Sequence, residues 1–153
     1  MVLTFPSMAK RHICEKMMDM EKNSNQIWEN MSIDEIYKYR TQWGELQCHR
    51  INMYDCMAGE LIIKVPGNEK ALTIEEVFVD RKFRNTGLGS KLLAFAEKTA
   101  MTFGFQKVEL RLFSTDPLVS DIKLQEWYMK RGYQPDGGKM CKRMNNKNLE
   151  VTS

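Results

Sequence analysis

A glycine-containing turn in the middle of the chain carries the residues best suited to bind an anion. The run Arg84-Asn85-Thr86-Gly87-Leu88-Gly89 follows a stretch over residues 74–79 that is rich in β-branched and aromatic residues, and it precedes leucines at helical spacing. This order predicts a strand, a turn and a helix. Glycine lets a ligand approach the backbone closely, and the first turn of a helix offers unpaired N–H groups at its positive end. We therefore expect this turn to hold a phosphate group, with the Arg84 guanidinium beside it.

Several interpretations compete for this turn. A dinucleotide-binding fingerprint would need a third glycine where Leu92 stands, and a P-loop would need wider glycine spacing and Ser or Thr after Lys91. An ordinary strand-turn-helix with incidental glycines is a further alternative. The Arg-x-x-Gly-x-Gly spacing of Arg84, Gly87 and Gly89 instead resembles the pyrophosphate-binding signature of the GNAT superfamily, the acetyl-CoA-dependent N-acetyltransferases.

A second segment carries the same resemblance. Trp127, Tyr128, Gly132 and Tyr133 match the aromatic-Tyr-x-x-x-Gly-aromatic segment of many GNAT enzymes, and the detailed match covers residues 72–144. The resemblance implies that Tyr128 lies near the acetyl-CoA sulfur and protonates the departing thiolate. A tyrosine pKa near ~10 suits this role, because the hydroxyl is then protonated at neutral pH. The alternative is a buried tyrosine that only completes a hydrogen bond.

Two glutamates on the strand before the turn are the candidate groups for the acceptor. Glu75 and Glu76 stand where several family members carry a carboxylate, which can bind an ammonium ion or remove its proton. Alternation along a strand places the two on opposite faces, so that one of them faces the cleft. The resemblance favours Glu75. For either glutamate, the alternative is a surface charge without a catalytic role.

The resemblance also assigns coenzyme contacts to the backbone. It implies that the pantetheine arm pairs like an added strand with Val77, Phe78 and Val79, and that an N–H near Val79 polarises the thioester carbonyl. The N–H groups expected to bind the pyrophosphate belong to Asn85, Thr86, Gly87, Leu88, Gly89 and Ser90.

The predicted helix around Tyr128 contains one departure from the family pattern. Many members place an asparagine seven residues before the tyrosine, where this chain has Asp121. A carboxylate cannot donate as an amide does, so that coenzyme contact is not carried over. Lys123 and Lys130 on the same segment are candidate partners for coenzyme phosphates, with solvated helix charges as the alternative.

The composition narrows the class of protein. The 153 residues suffice for one domain over residues 1–153, no apolar run reaches the ~18 residues of a membrane span, and a net charge of +3 does not indicate nucleic acid. Four cysteines without a Cys-x-x-Cys pair and only two histidines indicate free thiols and no metal site. We therefore expect a reducing, cytoplasmic location, with nuclear entry left open.

The predicted elements indicate a mixed α+β domain of the GNAT type. A methionine-rich helix over residues 8–20 and a second helix, opened by Ser32 and ended by Gly44, come first. Further strands and helices are expected over residues 47–53, 57–65, 72–80, 88–103 and 107–113, after a cap at 120 or 121, and as a weak hairpin reaching 140–144. This order predicts a central mixed, mostly antiparallel sheet with helices on both faces, and a disordered tail over residues 145–153.

Taken together, these residues predict an N-acetyltransferase that moves an acetyl group from acetyl-CoA to a small-molecule or protein amine. Direct attack in a ternary complex is expected, since Cys141 lies in the wrong segment for a nucleophile. A non-catalytic acyl-CoA-binding module is the alternative, and Tyr128 and the two glutamates argue against it. Residues 81–84 form too small a basic patch for a nucleic-acid binder. A homodimer is left open.

Overall fold

The computed structural model describes Trp28 and residues 31–53, 55–112, 114 and 116–145. Within this part of the chain, strands precede and then alternate with helices. In chain order the elements are β1 (Asp34–Thr41), β2 (Gly44–Met53), β3 (Cys56–Val65), β4 (Ala71–Val79), a 3₁₀ turn (Arg81–Phe83), α1 (Leu88–Thr102), β5 (Lys107–Arg111), α2 (Asp121–Met129), β6 (Gln134–Asp136) and β7 (Lys139–Arg143).

The strands form one seven-stranded sheet in the order β1-β2-β3-β4-β5-β7-β6. Neighbouring strands are antiparallel except β4 and β5, which are parallel. A parallel pair needs a crossover connection, and α1 supplies it by carrying the chain from the end of β4 back to the start of β5. The predicted mixed, mostly antiparallel sheet is confirmed, as are the strands and helices expected after residue 47.

The prediction of a helix from Ser32 to Gly44 is wrong, because this segment contains β1. Its aromatic residues Tyr37 and Tyr39 stand two apart, with ring centroids separated by 5.6 Å, and aromatic and β-branched residues favour strands. The Thr41 hydroxyl donates to the Gly44 carbonyl at 2.8 Å and closes a tight turn into β2. Pairing of β1 with residues 44–50 of β2 therefore outweighs the local capping pattern on which the prediction relied.

Helix α1 packs on the sheet and forms the main hydrophobic core. Leu88, Leu92 and Ala96 recur at helical spacing and are completely buried. A side chain at Gly59 of β3 would lie 3.1 Å from a methyl group of Leu88 and 3.1 Å from one of Leu92, so this glycine lets the helix approach the strand closely. The helix stops before Gly104, whose φ of 78° is the left-handed conformation that glycine commonly adopts after the end of a helix.

The remaining expectations concern the ends of the chain and the thiols. The methionine-rich segment over residues 8–20 and all but the first residue of the tail over 145–153 lie outside the described residues. In the described part of the chain, no helix has the length and apolar character needed to cross a membrane. Cys48, Cys56 and Cys141 are free thiols.

His49 of β2 is a buried titratable group against which α1 packs. Its ring centroid lies 4.6 Å from that of Phe95, and its Nε2 is 3.0 Å from Gln47 Oε1, as expected for an N–H that donates to an amide oxygen. Burial lowers the pKa of His49 from its ordinary value of 6.5. The folded protein therefore holds a neutral imidazole at a pH where the unfolded chain binds a proton.

We expect His49 to make the protein less stable as the pH falls from about 7 to about 5, since the unfolded chain takes up a proton there that the folded chain resists. Replacing His49→Gln removes this titration and keeps a polar partner for Gln47. Urea unfolding at several pH values should show a smaller loss of stability for the variant than for the parent. Identical pH dependence in the two proteins would rule out His49 as a source of acid sensitivity.

Candidate active site

Strands β4 and β5 separate at their carboxyl ends and leave a gap in the sheet. Their last paired residues are Ile74 and Leu110. Strand β4 nevertheless continues to Val79 alongside β3, so the backbone on its other edge is open to a ligand. A cavity of about 690 Å³ lies in this gap. Its walls come from β4, the turn after it, the start of α1, the end of β5 and α2.

Most of the site residues predicted from the sequence line this cavity. The exceptions are Thr86 and Leu88, which are buried and do not line it. The predicted residues that line it are Glu75, Glu76, Val77, Phe78, Val79, Arg84, Asn85, Gly87, Gly89, Ser90 and Tyr128.

The turn between β4 and α1 presents unpaired backbone N–H groups. Gly87 has a φ of 87° and caps the helix in the left-handed conformation that glycine adopts readily. The first bond of the helix joins the Lys91 N–H to the Gly87 carbonyl at 3.1 Å. The N–H groups of Leu88, Gly89 and Ser90 therefore have no helical partner and lie at the positive end of α1. This arrangement is suited to bind an anion.

A buried hydrogen-bond chain, which the sequence analysis did not anticipate, holds the turn in place. Trp28 Nε1 donates to Thr86 Oγ1 at 2.9 Å, and the Thr86 hydroxyl donates in turn to the Phe83 carbonyl. The rings of Trp28 and Phe83 pack edge to face, with centroids 5.7 Å apart. Trp28 is 58 residues from Thr86 in the chain, so no local sequence pattern could have revealed the contact.

Trp127 of α2 and Arg131, just beyond the end of that helix, close the opposite side of the cavity. A Cβ atom at Gly89 would lie 2.9 Å from the Trp127 ring, so the indole rests directly on glycine backbone. The Arg131 guanidinium lies over the same ring, 3.8 Å from its centroid, and donates to Ser90 Oγ at 2.9 Å. Arg131 was not among the residues predicted for the site, although it stands four residues after Trp127, a spacing that brings side chains together on a helix.

Arg84, expected to offer a positive charge beside the turn, is held by a carboxylate from the loop between β5 and α2. Its Nη1 donates to Asp116 Oδ2 at 2.6 Å, and Arg81 pairs with the other carboxylate oxygen at 3.0 Å. The Leu118 N–H, followed by Arg84 and Arg81, lowers the pKa of Asp116 to about 2. The ionised carboxylate cancels one of the two positive charges, which leaves the cluster with a single positive charge.

Tyr128 places a hydroxyl without a hydrogen-bond partner among the described residues in the wall of the cavity. Its ring is 6% exposed and packs edge to face against Trp127 and Tyr133, at centroid distances of 4.9 and 5.6 Å. Burial raises the pKa of Tyr128 to about 12, opposed by the nearby Arg131 charge, so the hydroxyl is protonated at neutral pH. Buried hydroxyls are usually paired, and this one is therefore expected to meet a ligand.

Both glutamates line the cavity, so the prediction that only one of them faces the cleft is wrong. Glu76 pairs with Ile62, but Ile74 pairs with the very next residue of β3, which makes Glu75 the extra residue of a β-bulge. The bulge breaks the alternation on which the prediction relied. Glu75 Oε1 lies 3.7 Å from Lys64 Nζ, whereas Glu76 has no partner in the described part of the chain.

The other residues considered from the sequence divide into two groups. Lys123 and Lys130 line the cavity, as a side chain that contacts the coenzyme phosphates would have to do. Asp121 does not line it, and its carboxylate instead accepts the Ser114 N–H at 3.1 Å. Among the described residues, no group of three or more His, Cys, Asp or Glu side chains is arranged to hold a metal ion.

Comparison with protein families agrees with this architecture. The sequence model of the acetyltransferase (GNAT) family matches residues 15–133, well over half of the chain. The chain belongs to the GNAT acetyltransferase family. The glycine turn and Tyr128 both lie within the matched region. No curated protein matches this acetyltransferase in sequence.

Solved acetyltransferase structures share the fold at low sequence identity. Nourseothricin acetyltransferase superimposes with a TM-score of 0.55 and 18% identity over 65% of this chain and 66% of that chain, just under two thirds of its length. The ribosomal-protein-S18-alanine N-acetyltransferase from Escherichia coli superimposes with a TM-score of 0.52 and 16% identity, over 69% of this chain and 72% of that chain. A mutant AtaT toxin bound to the antitoxin C-terminus and acetyl-CoA superimposes with a TM-score of 0.53 and 14% identity, over 71% of this chain and 74% of that chain.

The contact between Gly89 and Trp127 can be tested with alanine. We expect Gly89→Ala to lower the melting temperature by several degrees, because overpacking costs about 1–3 kcal/mol and the gain in helix propensity offsets about 1 kcal/mol at most. Gly67→Ala is the matched control, since a Cβ atom there has no neighbour within 4 Å. If thermal unfolding shows both variants to be equally stable, α2 does not rest on the turn.

Proposed function

We propose that this acetyltransferase moves the acetyl group of acetyl-CoA to a primary amine, which attacks the thioester directly in a ternary complex. The observation that carries the proposal is one cavity that joins the phosphate-binding turn over residues 87–90 to the Tyr128 hydroxyl and to Glu75 and Glu76. Two structural neighbours agree in class, since one was solved with acetyl-CoA and the other is a protein N-acetyltransferase.

The turn offers the chemistry that a pyrophosphate needs. Three consecutive N–H groups at the start of α1 would donate to phosphate oxygens. Arg131 stands beside Ser90, and the cluster of Arg81, Arg84 and Asp116 adds a single positive charge. Lys123 and Lys130 would meet the remaining coenzyme phosphate.

The open edge of β4 suits the extended pantetheine arm. The Asp80 N–H donates to Ala58 on β3 at 2.9 Å. Because N–H groups alternate between the two edges of a strand, the N–H groups of Val77 and Val79 are directed to the other edge, into the gap. The Val79 N–H would then donate to the thioester oxygen and stabilise the charge that develops on it, an oxyanion-hole role.

The amine nitrogen loses two protons in the proposed reaction. Glu75 or Glu76 would take the first from the incoming ammonium group, directly or through water, and the neutral amine then attacks the carbonyl carbon. As the C–S bond breaks and its electron pair leaves on sulfur, the Tyr128 hydroxyl would donate to the thiolate. The second proton, which the nitrogen loses as the amide forms, would restore the Tyr128 hydroxyl through water. Burial disfavours the charged form of both groups, so it would raise the pKa of the coenzyme thiol as it raises the pKa of Tyr128. The two pKa values would therefore stay close enough for the proton to pass from the tyrosine to the sulfur.

A non-catalytic acyl-CoA-binding module is the competing function. Such a module would need the phosphate-binding turn and the open strand edge, but neither the unpaired Tyr128 hydroxyl nor two carboxylates at the gap. Their presence favours turnover over simple binding. The acceptor is proposed to be a small-molecule or protein amine.

The proposal predicts that Tyr128→Phe lowers kcat about 100-fold, the lower end of the range for general acids, because a thiolate is already a good leaving group. The ring is kept, so packing and acetyl-CoA affinity should change little, and the loss should appear in kcat. Steady-state release of CoA with an amine acceptor, combined with calorimetric titration of acetyl-CoA, separates the two effects.

Tyr133→Phe is the matched control for this experiment. Tyr133 is also buried next to α2, but its hydroxyl donates to Glu97 at 3.1 Å and does not line the cavity. We expect this variant to lose stability and to keep its turnover. A kcat for Tyr128→Phe within a factor of about 3 of the parent, less than about 1 kcal/mol in activation free energy, would contradict the acid role.

A further inference from the structure

Two charged side chains of opposite sign lie where β4 and β5 separate, without a partner among the described residues. Arg111 is the last residue of β5, one position beyond the final pair formed by Ile74 and Leu110. Glu76 lies two positions beyond the same pair on β4. Both line the cavity, and neither has a hydrogen-bond or ion-pair partner among the described residues.

The strand register puts these two side chains on one face of the sheet. Thr73 lies opposite Lys64 of β3 and also opposite Glu109 of β5. The partner of Glu76 comes two residues before Lys64, and Arg111 comes two residues after Glu109. Because side chains alternate with a period of two and opposed residues share a face, Glu76 and Arg111 lie on the same face as Thr73. The core, and with it α1, is on the other face.

Most of the other charged groups in the cavity walls are already engaged or lie elsewhere. Glu75 contacts Lys64, and Asp116 is held by Arg84 and Arg81. Arg131 donates to Ser90 at the start of α1. Lys123 and Lys130 also line the cavity, but they belong to α2 and the residue after it and not to β4 or β5. In the described part of the chain, the apex of the gap therefore offers one free carboxylate and one free guanidinium.

We propose that the acceptor is zwitterionic: an amine that carries a carboxylate a few bonds from its nitrogen, as a free amino acid does. The inference rests on the proposed acetyl transfer and adds the substrate class. Glu76 would bind the ammonium group and receive its proton, and the planar guanidinium of Arg111 would hold the carboxylate with two parallel hydrogen bonds. Adjacent strands are ~4.8 Å apart where pairing ends, so such side chains can reach both ends of a small molecule.

The opposite charges also disfavour other amines. A polyamine would bring a second positive charge towards Arg111, and a simple alkylamine would leave that guanidinium without a partner. An unpaired polar group in a binding site typically costs more than the missing contact itself. Arg111 is thus assigned as the residue that distinguishes amino acids from amines without a carboxylate.

The experiment compares matched acceptors with four proteins. Each acceptor set contains an amino acid, its methyl ester and the amine without the carboxylate, such as leucine, leucine methyl ester and isoamylamine. The proteins are the parent, Arg111→Gln, Glu76→Gln and Lys107→Gln, the last being a cation on the same face of β5 outside the cavity. The ratio of kcat/KM for amino acid to kcat/KM for amine is compared between proteins, so differences in amine pKa cancel.

We expect the parent to prefer the amino acid, and Arg111→Gln to lower that ratio about ten- to hundredfold with little effect on the ester or the amine. Glu76→Gln should lower turnover of all three acceptors, and Lys107→Gln should behave like the parent. An unchanged ratio in Arg111→Gln or a parent that prefers the amine would overturn the zwitterion assignment and leave the proposed function standing. No turnover of any acceptor despite acetyl-CoA binding would instead favour the non-catalytic module, and failure to bind acetyl-CoA in calorimetry would likewise overturn the proposed function itself.

Discussion

The loss of pairing between β4 and β5 is the constraint on which the candidate site depends. Had the ladder continued beyond Ile74 and Leu110, every N–H and carbonyl group on this edge of β4 would have a strand partner. Because it stops, the N–H groups on this edge as far as Val79 need another partner, and an extended ligand can supply it, whereas the Val79 carbonyl already accepts from Arg84 Nε at 3.3 Å. Strand β4 keeps its order through β3, so the gap opens within the sheet without loosening the strand that forms its wall.

The bulge at Glu75 coincides with this separation. A bulge increases the local twist of its strand, which is a physical reason for β4 to turn away from β5 at this point. The same irregularity brings both glutamates to the cavity. One distortion of a strand thus creates the space and supplies its carboxylates.

Three tertiary contacts hold the glycine turn between β4 and α1 in place. Trp28 donates to Thr86, the Asp116 carboxylate holds Arg84, and Arg131, just beyond the end of α2, donates to Ser90. A site whose donors are fixed before the ligand arrives loses less conformational entropy on binding. Residues far away in the chain therefore fix the shape of the turn. Its N–H groups are free to bind a ligand because they belong to the first turn of α1 and have no helical partner.

Much of the fold could be read from the sequence wherever local signals were strong. Glycine stops, alternating apolar residues and a capping serine defined the elements from β2 onwards, and the glycine turn and Tyr128 were found by their spacing. The helix predicted from Ser32 is absent from the described residues because this segment pairs with β2 as a hairpin, and a local capping pattern gives no information on strand pairing.

The supporting residues of the site were out of reach for a related reason. The bulge at Glu75 is a property of two paired strands, which a single strand pattern cannot show. Asp116 and Trp28 act across the fold, at separations that local periodicity does not cover. Arg111 is the last residue of β5, and the sequence does not show that β4 separates from β5 just before it, which is what leaves Arg111 at the gap.

Hydrogen exchange reports on individual backbone amides, so measuring it with and without acetyl-CoA shows whether the coenzyme binds at the gap in the sheet. We expect acetyl-CoA to slow exchange in two separate segments, residues 77–79 at the open edge of β4 and residues 87–90 at the start of α1. The amides of β1 should exchange at unchanged rates. If acetyl-CoA binds without protecting either segment, or protects only other parts of the chain, the coenzyme does not lie in this gap.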